Sequence, residues 1–362
     1  MIWLLLAAAW LGYAMCQMRI LNYLYACPLP KRFLKFYRLY TGVAILLFPL
    51  TSMLDLHIMR PYLVIFASIA VVVLPWVTLR RWLGQPPGVA TSTNAMIPDL
   101  PHVLGAGKNL WLARLPKNGL FDVELTRTTL KLQYLPKELH GVTVLVLSDL
   151  HFHGTPGREW FEALFDHLAA LPTPDVVALL GDYLDDDEHH NWLAPLLGRL
   201  RWGSVGVAIL GNHDVHHQPA MIRAEFRRLG YNVLSGGWQR LNVRGVPVVF
   251  VGDESPWLPG PADLPAAPLA GFRIYLTHTP DNYPNACAAM CDLVLAGHVH
   301  GGGIRLPLFG SIFVPSVYGR RYDQGVFRTG RTVMLVGRGI SGKEPLRWNC
   351  PPQVLLLTLT GT

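Results

Sequence analysis

Charge is scarce in this chain. Of 362 residues, 15% are charged and 51% are hydrophobic. That average is too apolar for an ordinary water-soluble enzyme and too polar for a transporter that is hydrophobic throughout, so it hides two unlike parts. Cysteine is scarce too, at five residues. Cys16 and Cys27 border apolar sequence, Cys287 and Cys291 have helical spacing, and Cys350 stands alone; this excludes a disulfide framework and a thiolate zinc site. Internal repeats are absent, as are low-complexity tracts apart from a Pro/Ala-rich loop at 256–268. A local cluster of basic residues suited to a polyanion is also absent, which argues against a nucleic-acid partner.

What is present is an apolar front. Residues 1–18, 39–54 and 61–79 contain no charged side chain, and each run approaches the roughly 20 residues that cross a bilayer core. The second run is short and reads as a tilted span or a re-entrant segment. Pro49 and Pro75 inside these runs are tolerable in membrane helices. The basic residues of positions 1–83 (Arg19, Lys31, Arg32, Lys35, Arg38, Arg60, Arg80 and Arg81) face one acid, Asp55. They account for the whole chain's formal net charge of +7, and positions 84–362 balance. Most of these charges lie between runs one and two or just after run three, so the positive-inside rule puts the N-terminus outside and residue 80 onward in the cytoplasm. A cleaved signal peptide fits poorly, because a basic leader is missing and Tyr13-Ala14-Met15-Cys16 is a poor cleavage site. The expectation is an anchor of two to three transmembrane helices at 1–83, a Pro/Gly-rich linker at 84–120 and a folded domain at 121–362, in a multi-pass protein of the inner (plasma) membrane.

After residue 121 the chain alternates short β-rich runs with helical stretches. Strands are expected at 142–148, 176–180, 205–210, 246–251, 273–277, 293–296, 331–336 and 354–359, with helices at 158–171 and 219–229. Strand and helix alternate early and strand dominates late. The fold class is therefore α/β, with two mixed β-sheets in a sandwich flanked by helices and preceded by the N-terminal transmembrane helices.

Five of these strands end in polar residues: Ser148-Asp149-Leu150-His151, Gly181-Asp182, Gly211-Asn212-His213-Asp214, His278, and Gly297-His298-Val299-His300. Open α/β sheets place ligand sites at this edge, and the glycines let the backbone turn and approach a ligand. Each motif alone would be an ordinary loop or turn. Together, Asp149, His151, Asp182, Asn212, His278, His298 and His300 supply two Asp, one Asn and four His without a thiolate, a set suited to two divalent metals of intermediate hardness such as Mn²⁺, Fe²⁺ or Zn²⁺.

The series DLH, GD, GNHD, H, GHVH resembles the calcineurin-like metallophosphoesterase superfamily, whose pattern is D-x-H, G-D, G-N-H-D/E, H, G-H-x-H, over about residues 140–360. Within it, AGHVHGGGIRLPLFG and the tail from Tyr322-Asp323-Gln324-Gly325 to Gly339-Ile340-Ser341-Gly342 are similar to a bacterial membrane-associated branch that includes UDP-2,3-diacylglucosamine pyrophosphatase-like enzymes. Val299 and Gly303 stand where that pattern often has Thr and Gln, so any contact made by those two side chains is lost or moved. The resemblance implies that Asp149, His151 and His300 hold one metal, that Asn212, His278 and His298 hold the other, and that Asp182 bridges them. It also implies that His213 is a proton donor or electrostatic clamp over the substrate, oriented by Asp214.

The chemistry suits these roles. Phosphate esters resist hydrolysis because their oxygens repel an anionic nucleophile, and paired cations neutralise those oxygens and acidify a water toward a pKa of about 7. The resulting expectation is a metal-dependent phosphoric ester hydrolase that cleaves phosphodiester or pyrophosphate bonds of a lipid or nucleotide-linked lipid at the bilayer. Two other readings stand beside it: a phosphatase of soluble nucleotides or phosphoproteins, and a membrane scaffold or sensor that binds metal without catalysis. Loss of a ligand would mark the scaffold, and none is missing. Among neighbouring residues, His153, His216 and His217 read as surface histidines and 185–190 as a solvated loop whose Asp185 is placed to support the site. Trp257 and Leu258 read as part of a covering loop, with an apolar wall for a lipid chain as the lesser reading. Arg305, Arg320 and Arg321 are lesser candidates to meet a second phosphate.

Overall fold

The computed structural model describes residues 2–54, 56–83, 86, 88–262, 264, 271–307 and 309–361. The chain divides into two compact units: residues 1–85 with 312–321, and residues 86–311 with 322–362. Asp55, part of the expected linker (84, 85 and 87) and part of the proline-rich loop (263 and 265–268) lie outside the described residues.

The first unit contains helices α1 (Ile2–Ala26), α2 (Lys31–Leu54) and α3 (Leu56–Leu83). All three are long and apolar enough to cross a membrane, and the short second run is part of a full-length helix. They pack through a small apolar cluster of Leu6, Ala9, Phe48, Leu63 and Ala67. Tyr13 stacks on Phe48 at 4.3 Å between ring centroids. Pro61 and Pro75 lie inside α3. Most other large side chains point outward: Leu4, Leu46 and Leu54 are 77%, 71% and 85% exposed.

The second unit is the sandwich. Its strands are β1 (Ala90–Met96), β2 (Glu124–Leu132), β3 (Thr143–Leu147), β4 (Val176–Leu179), β5 (Val205–Ala208), β6 (Asn232–Val233), β7 (Trp238–Val243) and β8 (Val246–Asp253). They continue as β9 (Arg273–Thr277), β10 (Leu293–Ala296), β11 (Arg305–Leu306), β12 (Gly310–Ser311), β13 (Gly325–Thr329), β14 (Thr332–Val336) and β15 (Gln353–Gly361). One mixed sheet has the order β1-β2-β15-β3-β4-β5-β6, the other β13-β14-β10-β9-β8-β7, and β11 pairs with β12 alone. All eight expected strands are present. The stretch expected as a linker differs: its Ala90–Met96 adds an antiparallel edge strand to β2, because its run of small polar residues lacks the apolar alternation by which a strand is recognised.

Alternation along the strands builds two cores. Val144 and Val146 of β3, with Val176 and Ala178 of β4, join Ile274, Leu276, Leu293 and Leu295 of the other sheet in one buried cluster. Leu145, Leu147, Val177 and Leu179 point the other way, onto α4 (Arg158–Ala169) and α5 (Pro219–Arg228). Helix α4 buries Trp160, Phe161, Leu164, Phe165 and Leu168 on one face, the spacing of an amphipathic helix. Each such side chain contributes roughly 1.5–3 kcal/mol by leaving water. Both sheets are thereby rigid platforms for the loops at their strand ends.

Candidate metal centre

Strands β3, β4 and β5 are parallel neighbours in one sheet, and β9 and β10 are parallel neighbours in the other. Asp149, Asp182, Asn212, His278 and His298 each follow the C-terminal end of one of them, and their side chains converge. Nε2 of His151 is 3.3 Å from Nε2 of His300, and that His300 nitrogen is 3.6 Å from Asp149 Oδ1. Nε2 of His278 is 3.1 Å from Asn212 Oδ1 and 3.2 Å from His298 Nδ1. Asp182 lies between these groups, with Oδ2 at 3.6 Å from His151 Nε2 and 3.2 Å from His278 Nε2. Asp149–His151–His300 and Asp182–His278–His298 each have ligand atoms within 4.8 Å of one another.

The donor set fits cations. The outer ring nitrogens of two histidines are already engaged: His151 Nδ1 pairs with Asp185 Oδ2 at 3.0 Å, and His278 Nδ1–H donates to the Leu180 carbonyl at 2.8 Å. That arrangement turns each Nε2 inward, the usual second-layer support of a metal-binding imidazole. The backbone N–H of His298 donates to both carboxylate oxygens of Asp149, and that of His213 donates to Asp182 Oδ1. Asp149, His151, Asp182, His278 and His298 are all buried, and converging buried nitrogens and carboxylates call for a positive partner.

Electrostatics divides the histidines. Burial alone would lower His151 and His278, yet Asp185 for the first and Asp182 for the second raise both to about 9. His298 and His300 are pushed well below the ordinary value by burial, reinforced by His278 for His298 and by Arg347 for His300. Burial opposes ionisation of Asp182 and Asp185, but nearby imidazoles, first His278 for Asp182 and first His213 for Asp185, hold both well below the usual carboxylate range.

The loops hold these side chains at some conformational cost. Asp149, His151, Asp182, His298 and His300 all have left-handed backbone, with φ between 46° and 70°. Such conformations cost of order 1–3 kcal/mol each for residues other than glycine and collect at functional sites. A Cβ at Gly211 would collide with the Asp182 carboxylate, and one at Gly297 would lie 2.7 Å from Asp149 Oδ2. These two glycines serve close approach.

Several expectations need correction. Asp214 does not orient His213. It is fully buried and accepts hydrogen bonds from the backbone N–H groups of Asp182, Tyr183, Leu184 and Gly211, which ties the β4 and β5 loops together. Burial and the nearby Asp182 raise it to about 7. The carboxylate against His213 Nδ1 belongs to Asp185, which therefore supports His151 and His213 together. His153 is buried, not at the surface, with Nε2 at 3.1 Å from the Gly342 carbonyl. Arg305 is committed to the buried Asp323 at 3.0 Å. Trp257 packs over the site, 4.9 Å from the His298 ring. Arg347 had no sequence signal: it is buried, with donors on the carbonyls of His300, Arg338 and Ser341, and with Nη2 3.2 Å from His300 Nδ1. It also lines a cavity of about 560 Å³ with His102, Lys117, Phe121 and Asp122.

With this geometry in view, the relatives of the chain are informative. The family model for calcineurin-like phosphoesterase matches residues 142–302. An uncharacterized metallophosphoesterase, YkuE of Bacillus subtilis, is 29% identical over 254 residues, 66% of this chain and 86% of that one. Phosphodiesterase YaeI of Escherichia coli is 31% identical over 225 residues, 60% of this chain and 81% of that one. A transmembrane protein with metallophosphoesterase domain from Danio rerio is 28% identical over 213 residues, 52% of this chain and 46% of that one. The strand-end carboxylates and imidazoles, the two-sheet scaffold and these similarities agree, and the chain belongs to the calcineurin-like phosphoesterase family.

Proposed function

We propose that the protein is a membrane-anchored, two-metal phosphodiesterase whose catalytic domain faces the cytoplasm and whose substrate is a phosphodiester or pyrophosphate of a lipid or nucleotide-linked lipid. The observation that carries the reading is the position of Asp182, within 3.6 Å of an inward imidazole nitrogen on either side. One set, Asp149, His151 and His300, would hold one cation; Asn212, His278 and His298 would hold the other, with Asp182 shared. When bound, the cations supply Lewis-acid charge for the phosphoryl oxygens and acidify a water.

The remaining work falls to the chain. Asp185 fixes the ring orientation of His151 and His213. His213 is the most exposed of the two, with its Nε2 3.9 Å from Asp182 Oδ2, at the rim where a leaving oxygen would need a proton. Asn212 contributes an oxygen without adding negative charge. Trp257 covers one side of the site and limits water there. The relative named a phosphodiesterase supports the diester over the monoester, and the three apolar helices support an anchor.

The test compares hydrolysis of bis(p-nitrophenyl) phosphate and p-nitrophenyl phosphate by the full-length protein with added Mn²⁺, Fe²⁺ or Zn²⁺. Faster diester turnover that is lost in Asp182→Ala supports the proposal; no hydrolysis of either ester with any of these metals would sink it.

A further inference from the structure

Segment 312–321 interrupts the catalytic domain in sequence but folds with the helices. Contacts with helix α1 hold it. The Val314 backbone N–H donates to Asn22 Oδ1 at 3.0 Å, Arg19 Nη2 donates to the Val317 carbonyl at 2.6 Å, and the Tyr25 and Phe313 rings meet edge-on at 5.3 Å. Asn22, Val314 and Ser316 are buried.

The level of these contacts along α1 is informative. Residues 1–18 are uncharged and Arg19 is the first charge, so in a spanning helix Arg19 marks the edge of the hydrocarbon. From Arg19 to Ala26 the helix rises about 10 Å at ~1.5 Å per residue, comparable to the headgroup layer of roughly 5–8 Å on each side of a bilayer. Helix α2 agrees, since its first turns carry Lys31, Arg32, Lys35 and Arg38 before an uncharged run begins at Leu39. Irregular backbone is excluded from hydrocarbon unless its polar groups are satisfied. Here Asn22 and Arg19 satisfy one N–H and one C=O of the segment, while Ile312 is 39% exposed and Phe309, just before it, 45%.

We propose that segment 312–321 is a bilayer-seating element: docked on the charged end of α1, it lies at lipid-headgroup depth, with Ile312 in contact with lipid. In the chain the segment follows β12 directly. This rests on the membrane-anchored reading and deepens it.

The test uses full-length protein in vesicles of phosphatidylethanolamine and phosphatidylglycerol, with a photo-crosslinking amino acid at Ile312 and, as control, at the exposed Arg328 of β13. A lipid adduct at 312 and none at 328 is expected. Asn22→Leu, which keeps α1 apolar enough to insert, should lower that adduct about five-fold, the worth of one buried hydrogen bond. It should also speed trypsin cleavage after the half-buried Arg320, with soluble diester turnover unchanged. Absence of an adduct at 312 in protein that resists carbonate extraction would overturn the seating element and leave the anchor standing. Release of the wild-type protein by carbonate would overturn the anchor, and the inference with it.

Discussion

The two units of this protein sort their side chains in opposite ways. In the helical unit large apolar residues point outward and the buried polar groups among the described residues of the helices are uncharged, such as Asn22 and Ser52, the latter's hydroxyl donating to the Phe48 carbonyl at 2.6 Å. In the sandwich unit Leu, Val and Phe fill the interior, and ionisable groups are gathered beside them at one sheet edge. One rule governs both: a polar group is buried only with partners, and apolar surface faces whatever solvent does not penalise it. The helices match lipid by that rule. The sandwich matches water, with a polar centre whose partners are one another and, on the proposed reading, cations.

The sharpest way to break that contrast is to remove the carboxylate that lies between the imidazoles of His151 and His278. Asp182→Ala is expected to abolish diester hydrolysis and cut metal content while circular dichroism stays native; full turnover by that variant would refute the two-metal reading. Next in size are the cores. Leu197→Ala, at a fully buried position between sheet and helices, is expected to cost about 2–5 kcal/mol in chemical denaturation. Asp185→Asn should then lower metal affinity or turnover about 10–100-fold with little change in melting. Asp214→Ala should do the reverse and destabilise the domain first, because it strands buried backbone N–H groups at about 1–3 kcal/mol each. If the two variants behave alike, the distinction between an imidazole support and a backbone clamp fails.

Acidity provides a further test. In chelator-stripped protein His151 and His278, raised to about 9, are protonated at neutral pH. They contribute stability that is complete below the ordinary histidine value and is lost as pH rises through about 9. Metal loading must expel those protons, so affinity should rise with pH up to about 9, and titration calorimetry in two buffers of different ionisation enthalpy should reveal proton release. Heats independent of buffer would contradict this. The smallest effect is expected at Leu46→Ala, at an outward-facing helix position, with a change in unfolding free energy within about 0.5 kcal/mol; a cost equal to that of Leu197→Ala would erase the difference between the units.

Much of the centre was legible because its side chains come from short motifs at strand ends. Asp149 and His151 are two positions apart, as are His298 and His300, and a continuous apolar run announces each strand before them. Strands such as β6, β11 and β12, two residues each, are too short to carry a period. The edge strand β1 has hydrogen bonds to β2 but no apolar face toward a core. Adjacency in sequence also misled: Asp214 follows His213 directly, yet its carboxylate turns back to the β4 loop, and Asp185 from another loop takes the place beside the imidazole.

Composition and local pattern were enough to separate an apolar helical front from a phosphoesterase domain and to name the groups at its strand ends, because hydrophobic periodicity and motif spacing are properties of neighbouring residues. Which carboxylate supports which imidazole, why a buried arginine rests on His300, and that residues 312–321 belong with the first helix were decided only by folding. Those pairings join positions dozens to hundreds of residues apart, and their energies arise from burial and distance, which exist only once the chain has closed on itself.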